Sequence, residues 1–211
     1  MTALLLCNGE PPGRKLAQRL ARHADIIVAA DGGANSARAL GLTPAVIIGD
    51  LDSLTRATRR TFSGAEIIRL RRQDNTDLEK ALDEIHRRGF HRVFVLGATG
   101  RRIDFTLGNL SIVWRYRGRL QVLFAGDGWH AFPVGREQRI NAAVGTTVSL
   151  IPFGPCSGIT LRGLAYPLKN ASMAVGVIGV SNVVRRSPFS VSVRRGNMLL
   201  VVMESLTPGC V

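Results

Sequence analysis

Cysteine, lysine and acidic side chains are all scarce in this chain of 211 residues. The three cysteines, Cys7, Cys156 and Cys210, form no CxxC pair, which argues against a metal knuckle or a dithiol redox motif. An odd, sparse set points instead to reduced thiols and a cytoplasmic setting. The opening apolar run, Ala3–Cys7, is shorter than the ~7–15 residues of a secretion-signal core. No stretch approaches the ~18 apolar residues of a membrane span. Without a secretion signal, Asn170-Ala171-Ser172 reads as a chance glycosylation sequon. The sequence also lacks GxxxxGK(S/T), GxGxxG, HExxH and GxSxG, so it is no P-loop, dinucleotide-fingerprint, zincin or nucleophile-elbow enzyme. His23, His86, His91 and His130 have no ligand spacing and read as structural or exposed.

The formal net charge is +13, and only Lys15, Lys80 and Lys169 among the 28 basic residues are lysines. The excess is evenly spread: +7 over residues 1–118 and +6 over 119–211. Nucleic-acid binders concentrate basic residues in a run or stripe. Here the densest grouping is Arg69-Leu70-Arg71-Arg72, so the arginines read as solvated faces. One rival reading is a basic nucleic-acid-binding protein on an inactive scaffold. It requires stacking aromatics, whereas Trp114, Trp129, two tyrosines and eight phenylalanines lie mostly within apolar runs. Nucleic acid is therefore not the expected partner, and neither is a membrane.

A hydrophobic fraction of 45% supports a packed core. Short apolar runs at Ala3–Cys7, Asp25–Ala30, Ala45–Ile48, Glu66–Leu70, Arg92–Leu96 and Leu120–Ala125 read as strands buried on both faces. Helical patterns separate them at Pro11–His23, Ala34–Leu40, Leu54–Phe62, Asp77–Arg88 and Phe105–Tyr116. The fourth opens on a capping box, Thr76 with Glu79. This alternation predicts an α/β domain with a mostly parallel, Rossmann-like sheet over residues 1–126. From residue 127 to 211 acidic residues nearly vanish and short alternating runs appear, as at Thr146–Pro152, Phe189–Arg194 and Met198–Met203. This half is expected to be an antiparallel β-sandwich, with Arg195-Gly196-Asn197 as a hairpin turn.

Four motifs follow the predicted parallel strands: Asp31-Gly32-Gly33, Asp50-Leu51-Asp52-Ser53, Gln73-Asp74-Asn75-Thr76-Asp77 and Gly97-Ala98-Thr99-Gly100-Arg101-Arg102-Ile103-Asp104. Open parallel sheets bind ligands outside the carboxyl ends of their strands. Each motif alone is ordinary: a turn, a solvated loop, a helix-start charge, a surface arginine. Together they rim one edge. Asp50 and Asp52, two apart in extended chain, are expected to point the same way. Adjacent carboxylates repel unless a cation lies between them, and Mg²⁺ takes one or two carboxylates plus substrate phosphates. The glycines permit close backbone approach, and Arg102 can neutralise phosphate oxygens.

These motifs, with Ala34-Asn35, Gly163-Leu164-Ala165-Tyr166-Pro167-Leu168 and Gly179-Val180-Ser181-Asn182, resemble the thiamine pyrophosphokinase family in order and over most of the chain. The resemblance implies an α/β nucleotide domain followed by a β-sandwich that binds thiamine and dimerises. It implies pyrophosphoryl transfer from ATP to the hydroxyl of thiamine, giving thiamine diphosphate and AMP. Asp50, Asp52 and Asp77 would hold Mg²⁺, with Asp104 nearby. Gly32, Gly33, Asn35, Gln73, Thr76 and Arg102 would line the ATP site with Asp31. Asp31, Asp50 or Asp104 would accept the alcohol proton. Tyr166, Ser181 and Asn182 would contact thiamine from the second subunit of a homodimer. The sequence departs from the family at Phe105, where a polar residue is common, at Tyr166, where Trp is usual, and at Val183-Val184, where an acidic residue often follows. A pyrophosphokinase or kinase for another small alcohol is the alternative reading.

Overall fold

A computed structural model describes residues 1–70, 75–176 and 179–209, in two compact units, Met1–Asp127 and Gly128–Val211. The first unit alternates β1 (Thr2–Leu6), α1 (Arg14–Ala21), β2 (Ile26–Ala30), α2 (Gly33–Leu40), β3 (Val46–Gly49), α3 (Arg56–Thr61), β4 (Glu66–Arg69), α4 (Asp77–Arg87), β5 (Arg92–Leu96), α5 (Ile103–Ile112) and β6 (Gln121–Gly126). Its strands are parallel, in the order β6-β5-β1-β2-β3-β4. β1 lies centrally because Leu4, Leu5 and Leu6 are fully buried and pair in register with β2 and β5. The chain builds outward from β1 to β4 and then returns to β5, so the β1–β5 seam is the topological switch point.

The sequence expectation of strands buried on both faces fails at β4. Glu66–Arg69 is an edge strand with three of its four residues exposed. Its apolar content suggested a core strand, but only β3 pairs with it among the described residues. Helix ends also differ: Gly13 is the N-cap of α1, and its amide binds Asp127 Oδ2 at 2.7 Å. The fifth helical pattern begins earlier, at Ile103, and ends as a 3-10 turn at Val113–Tyr116. The capping box forms as predicted: Thr76 Oγ1 accepts from Glu79 N, and Glu79 Oε2 accepts from Thr76 N. Leu78, Ala81, Leu82 and Ile85 then face the core at helical spacing.

The second unit contains β7 (Trp129–Pro133), β8 (Glu137–Ile140), β9 (Thr147–Pro152), β10 (Cys156–Arg162), β11 (Leu168–Met173), β12 (Asn182–Val183), β13 (Phe189–Ser192) and β14 (Met198–Val202). Within it, antiparallel pairing gives the orders β12-β9-β14-β7 and β11-β10-β13-β8. β9 alternates buried with half-buried residues, as a one-sided strand must. The hairpin expected at Arg195-Gly196-Asn197 does not form. β13 pairs with β8 and β10, while β14 pairs with β7 and β9, so this segment crosses between sheets. Gly196, at φ +99°, is required there because a Cβ would lie 2.4 Å from the Pro155 carbonyl oxygen.

Candidate active site

The ends of five structural segments line one cleft of about 510 Å³ in the first unit. β1 contributes Asn8 and Gly9, β2 Asp31, and β3 Asp50, Asp52 and Ser53. The start of α4 contributes Thr76 and Asp77, and the segment after β5 contributes Gly97, Gly100, Arg101 and Arg102. Carboxylate oxygens of Asp31, Asp50 and Asp77 all lie within 4.8 Å of one another. Gly49 makes that approach possible. At φ +149° it has no Cβ, and one would stand 3.0 Å from Asp31 Cβ and 3.2 Å from Asp77 Oδ1.

Asp31 is buried, and burial raises its pKa above the ordinary carboxylate value. Hydrogen bonds from the Gly32 backbone and the Ser53 side chain act in the opposite direction, while the Asp77 and Asp52 charges raise it further. A cluster of hard oxygen ligands with unfavourable mutual charge fits a divalent cation. Asp77 is the first residue of α4, at the positive end of the helix dipole. Lys80, buried one turn on, donates to Asp77 Oδ1 at 2.8 Å.

The expected residues are only partly assembled. Asp52 lies beside the cluster rather than in it. Leu51 adopts φ +68°, so the chain is not extended, and Asp52 N donates to Asp50 Oδ1 at 3.3 Å. Asp104 is exposed, outside the cleft lining, and ion-paired with Arg102 at 2.5 Å, which lowers its pKa. The Arg102 guanidinium also stacks 4.4 Å from the Phe105 ring centroid.

Gly32, Gly33 and Asn35 support the cleft from behind. A Cβ on Gly33 would lie 2.1 Å from Leu6 O, and Asn35 binds the backbones of Ser53 and Thr55. Gln73 lies outside the described residues. In the second unit, Tyr166, Ser181 and Asn182 are gathered together. Asn182 Nδ2 donates to Tyr166 O, its Oδ1 accepts from Tyr166 N, and Tyr166 itself is 70% exposed. Ser181, at φ +61°, is exposed and donates its amide to Ser149 Oγ. The sequence reading missed Asn8, Gly9 and Asn109 as lining residues. Asn8-Gly9 directly follows the first apolar run, so the strand-end rule could have found it. Asn109, buried and bonded to Ala98 O, has no such signal.

Cleft and topology define the class: a two-domain α/β protein with an acidic, arginine-rimmed ligand site at the switch point of a parallel sheet. Residues 17–124 match the catalytic-domain model of thiamin pyrophosphokinase, and residues 136–198 match its vitamin B1 binding-domain model. Thiamine pyrophosphokinase 3 of Oryza sativa subsp. japonica is 30% identical over 231 residues, covering 94% of this chain and 85% of the relative. Thiamine pyrophosphokinase 1 of the same species is 32% identical, covering 80% and 78%. The crystal structure of thiamine pyrophosphokinase from Bacillus subtilis superposes with a TM-score of 0.84 at 23% identity, over 98% of this chain and 100% of that one. The chain belongs to the thiamin pyrophosphokinase family. Membership makes it an enzyme that forms thiamine diphosphate, and implies ATP as co-substrate.

Proposed function

We propose that the cleft binds ATP with Mg²⁺ and directs the hydroxyl of thiamine at the β-phosphorus, releasing AMP and thiamine diphosphate. The convergence of Asp31, Asp50 and Asp77 within 4.8 Å carries this reading. Asp50 and Asp77 would hold the cation, with Asp52 at the rim able to take a place in its water shell. The ion, when bound, would neutralise phosphate charge that grows in the transition state. Arg101 and Arg102 would hold phosphate oxygens, and the turn at Gly97–Gly100 gives backbone room for the nucleotide. Asp31 is our choice of proton acceptor. Burial raises its proton affinity, whereas the Arg102 partnership depresses that of exposed Asp104.

Tyr166, Ser181 and Asn182 would bind thiamine, acting across a homodimer on the partner's cleft. The outward-facing ring of Tyr166 suits a cationic heterocycle. Exposed apolar residues on α5, Ile103 and Leu107, support association with a second copy. Cys7 and Cys156 are thiols, consistent with a cytoplasmic enzyme. Among the described residues no helix is long and apolar enough to cross a membrane. Phosphorus NMR of the protein with magnesium, ATP and thiamine should show AMP and a diphosphate ester accumulating together. ADP with a monophosphate ester would overturn the two-phosphate transfer.

A further inference from the structure

Lys80 is a buried lysine that the chemistry above does not use. Its side chain is 4% exposed, it does not line the cleft, and its ammonium lies 2.8 Å from Asp77 Oδ1. Buried ammonium groups persist only where they are paired. Asp77 is itself grouped with Asp31 and Asp50, so the lysine pairs with one member of a cluster of three carboxylates. Neighbouring glutamates do not account for its position. Glu79 bonds the Thr76 amide and Arg115, and Glu84 bonds Arg87 and Arg88. α4 geometry sets Lys80 three residues after Asp77, one helical turn away on the same face.

Resting on the cation reading of the cleft, we infer that Lys80 is a positioning residue: a built-in counter-ion that holds Asp77 in the cluster and lowers the site's affinity for a free divalent cation. The physical reason is charge. A fixed positive group behind Asp77 offsets carboxylate repulsion when the site is empty, and it repels a bare cation placed in front. A cation arriving on a polyphosphate carries its own negative groups and suffers less of that repulsion. The site would thereby favour the metal–nucleotide complex over the free metal.

The test is Mn²⁺ binding by calorimetry, together with melting temperature with and without Mn²⁺, on the full chain and on Lys80→Met, Lys80→Gln and Lys80→Arg. Both neutral variants should bind free Mn²⁺ about tenfold more tightly, the direction set by removing one nearby like charge. They should melt lower without metal and gain more from Mn²⁺ than the parent does. Lys80→Arg should behave like the parent. If Lys80→Met does not fold, Lys80→Gln and Lys80→Arg still decide the matter. Unchanged or weaker Mn²⁺ binding in a folded neutral variant would overturn the counter-ion role while leaving the cation site standing. Absence of any Mn²⁺ binding to the parent chain would remove the cation site itself, and the inference with it.

Discussion

At the scale of single residues, the three clustered carboxylates are not equivalent to the rim carboxylate beside them. Asp50 is half-buried inside the cluster, whereas Asp52 is exposed and accepts from its own neighbour, Ser53 Oγ, at 2.9 Å. Asp50→Asn should therefore lower kcat by at least about 10²-fold through lost charge stabilisation, with Asp52→Asn costing less. Steady-state kinetics at saturating magnesium, with circular dichroism to confirm the fold, decides between them; equal losses would bring Asp52 into the ligand set. The sequence pointed to Asp50 and Asp77 through their motifs. It paired Asp50 with Asp52 because an extended Asp-x-Asp puts both carboxylates on one side. The left-handed Leu51 breaks that geometry, and nothing in Asp50-Leu51-Asp52 announces a positive φ at leucine. Asp31, from a different strand, joins Asp50 and Asp77 in the cluster. Such long-range proximity depends on Gly49 and is not a local property of any motif.

At the scale of elements, periodicity and caps identified α4 from Asp77 and strand β5 at its observed limits, because a capping box and a fully buried apolar run leave little choice. They misjudged β4 and the Arg195–Asn197 segment. Apolar content does not distinguish an edge strand from a central one, and alternation does not name a strand's partner. The α4 cap carries a testable load. Thr76→Val removes the hydroxyl that accepts from Glu79 N while preserving shape, and should cost about 1 kcal/mol. For a chain of this size that lowers Tm by roughly 2–4 °C. Thr76→Ser should melt like the parent. Because Asp77 is the next residue, Thr76→Val should also weaken Mn²⁺ binding, which a cap remote from the cleft would not.

At the scale of the whole molecule, acid should destabilise the second unit through His130. Its Nδ1 lies 2.7 Å from the Glu204 carbonyl oxygen, and burial lowers its pKa below 6.5. The folded state then binds fewer protons than the unfolded one just below pH 6.5, so this contribution is intact above that value and is lost as pH falls toward the lowered pKa. Melting curves from pH 7 to 5 should fall more steeply for the parent than for His130→Asn; parallel curves would refute the assignment. The proposed homodimer has its own test. Tyr166→Ala and Asp50→Asn chains, each impaired at low thiamine, should recover about a quarter of parental activity when mixed, since random pairing gives half heterodimers with one intact composite site of two. A mixture that stays inactive despite verified subunit exchange would count against sites completed by the partner.

The central position of β1 also bears on the order in which the nascent protein acquires competence. The cleft needs Asn8 at one end of the chain and Arg101, Arg102 and Asn109 about a hundred residues later, brought together when Leu6 of β1 comes opposite Leu96 of β5. Loop closure over that separation is slow compared with local helix formation. A ribosome-bound chain that exposes β1 through α4 already displays the Asp31, Asp50 and Asp77 carboxylates, yet lacks the wall that confines a nucleotide. Nucleotide protection of stalled chains against protease should therefore appear abruptly once residues through α5 have emerged, rather than growing with each added strand.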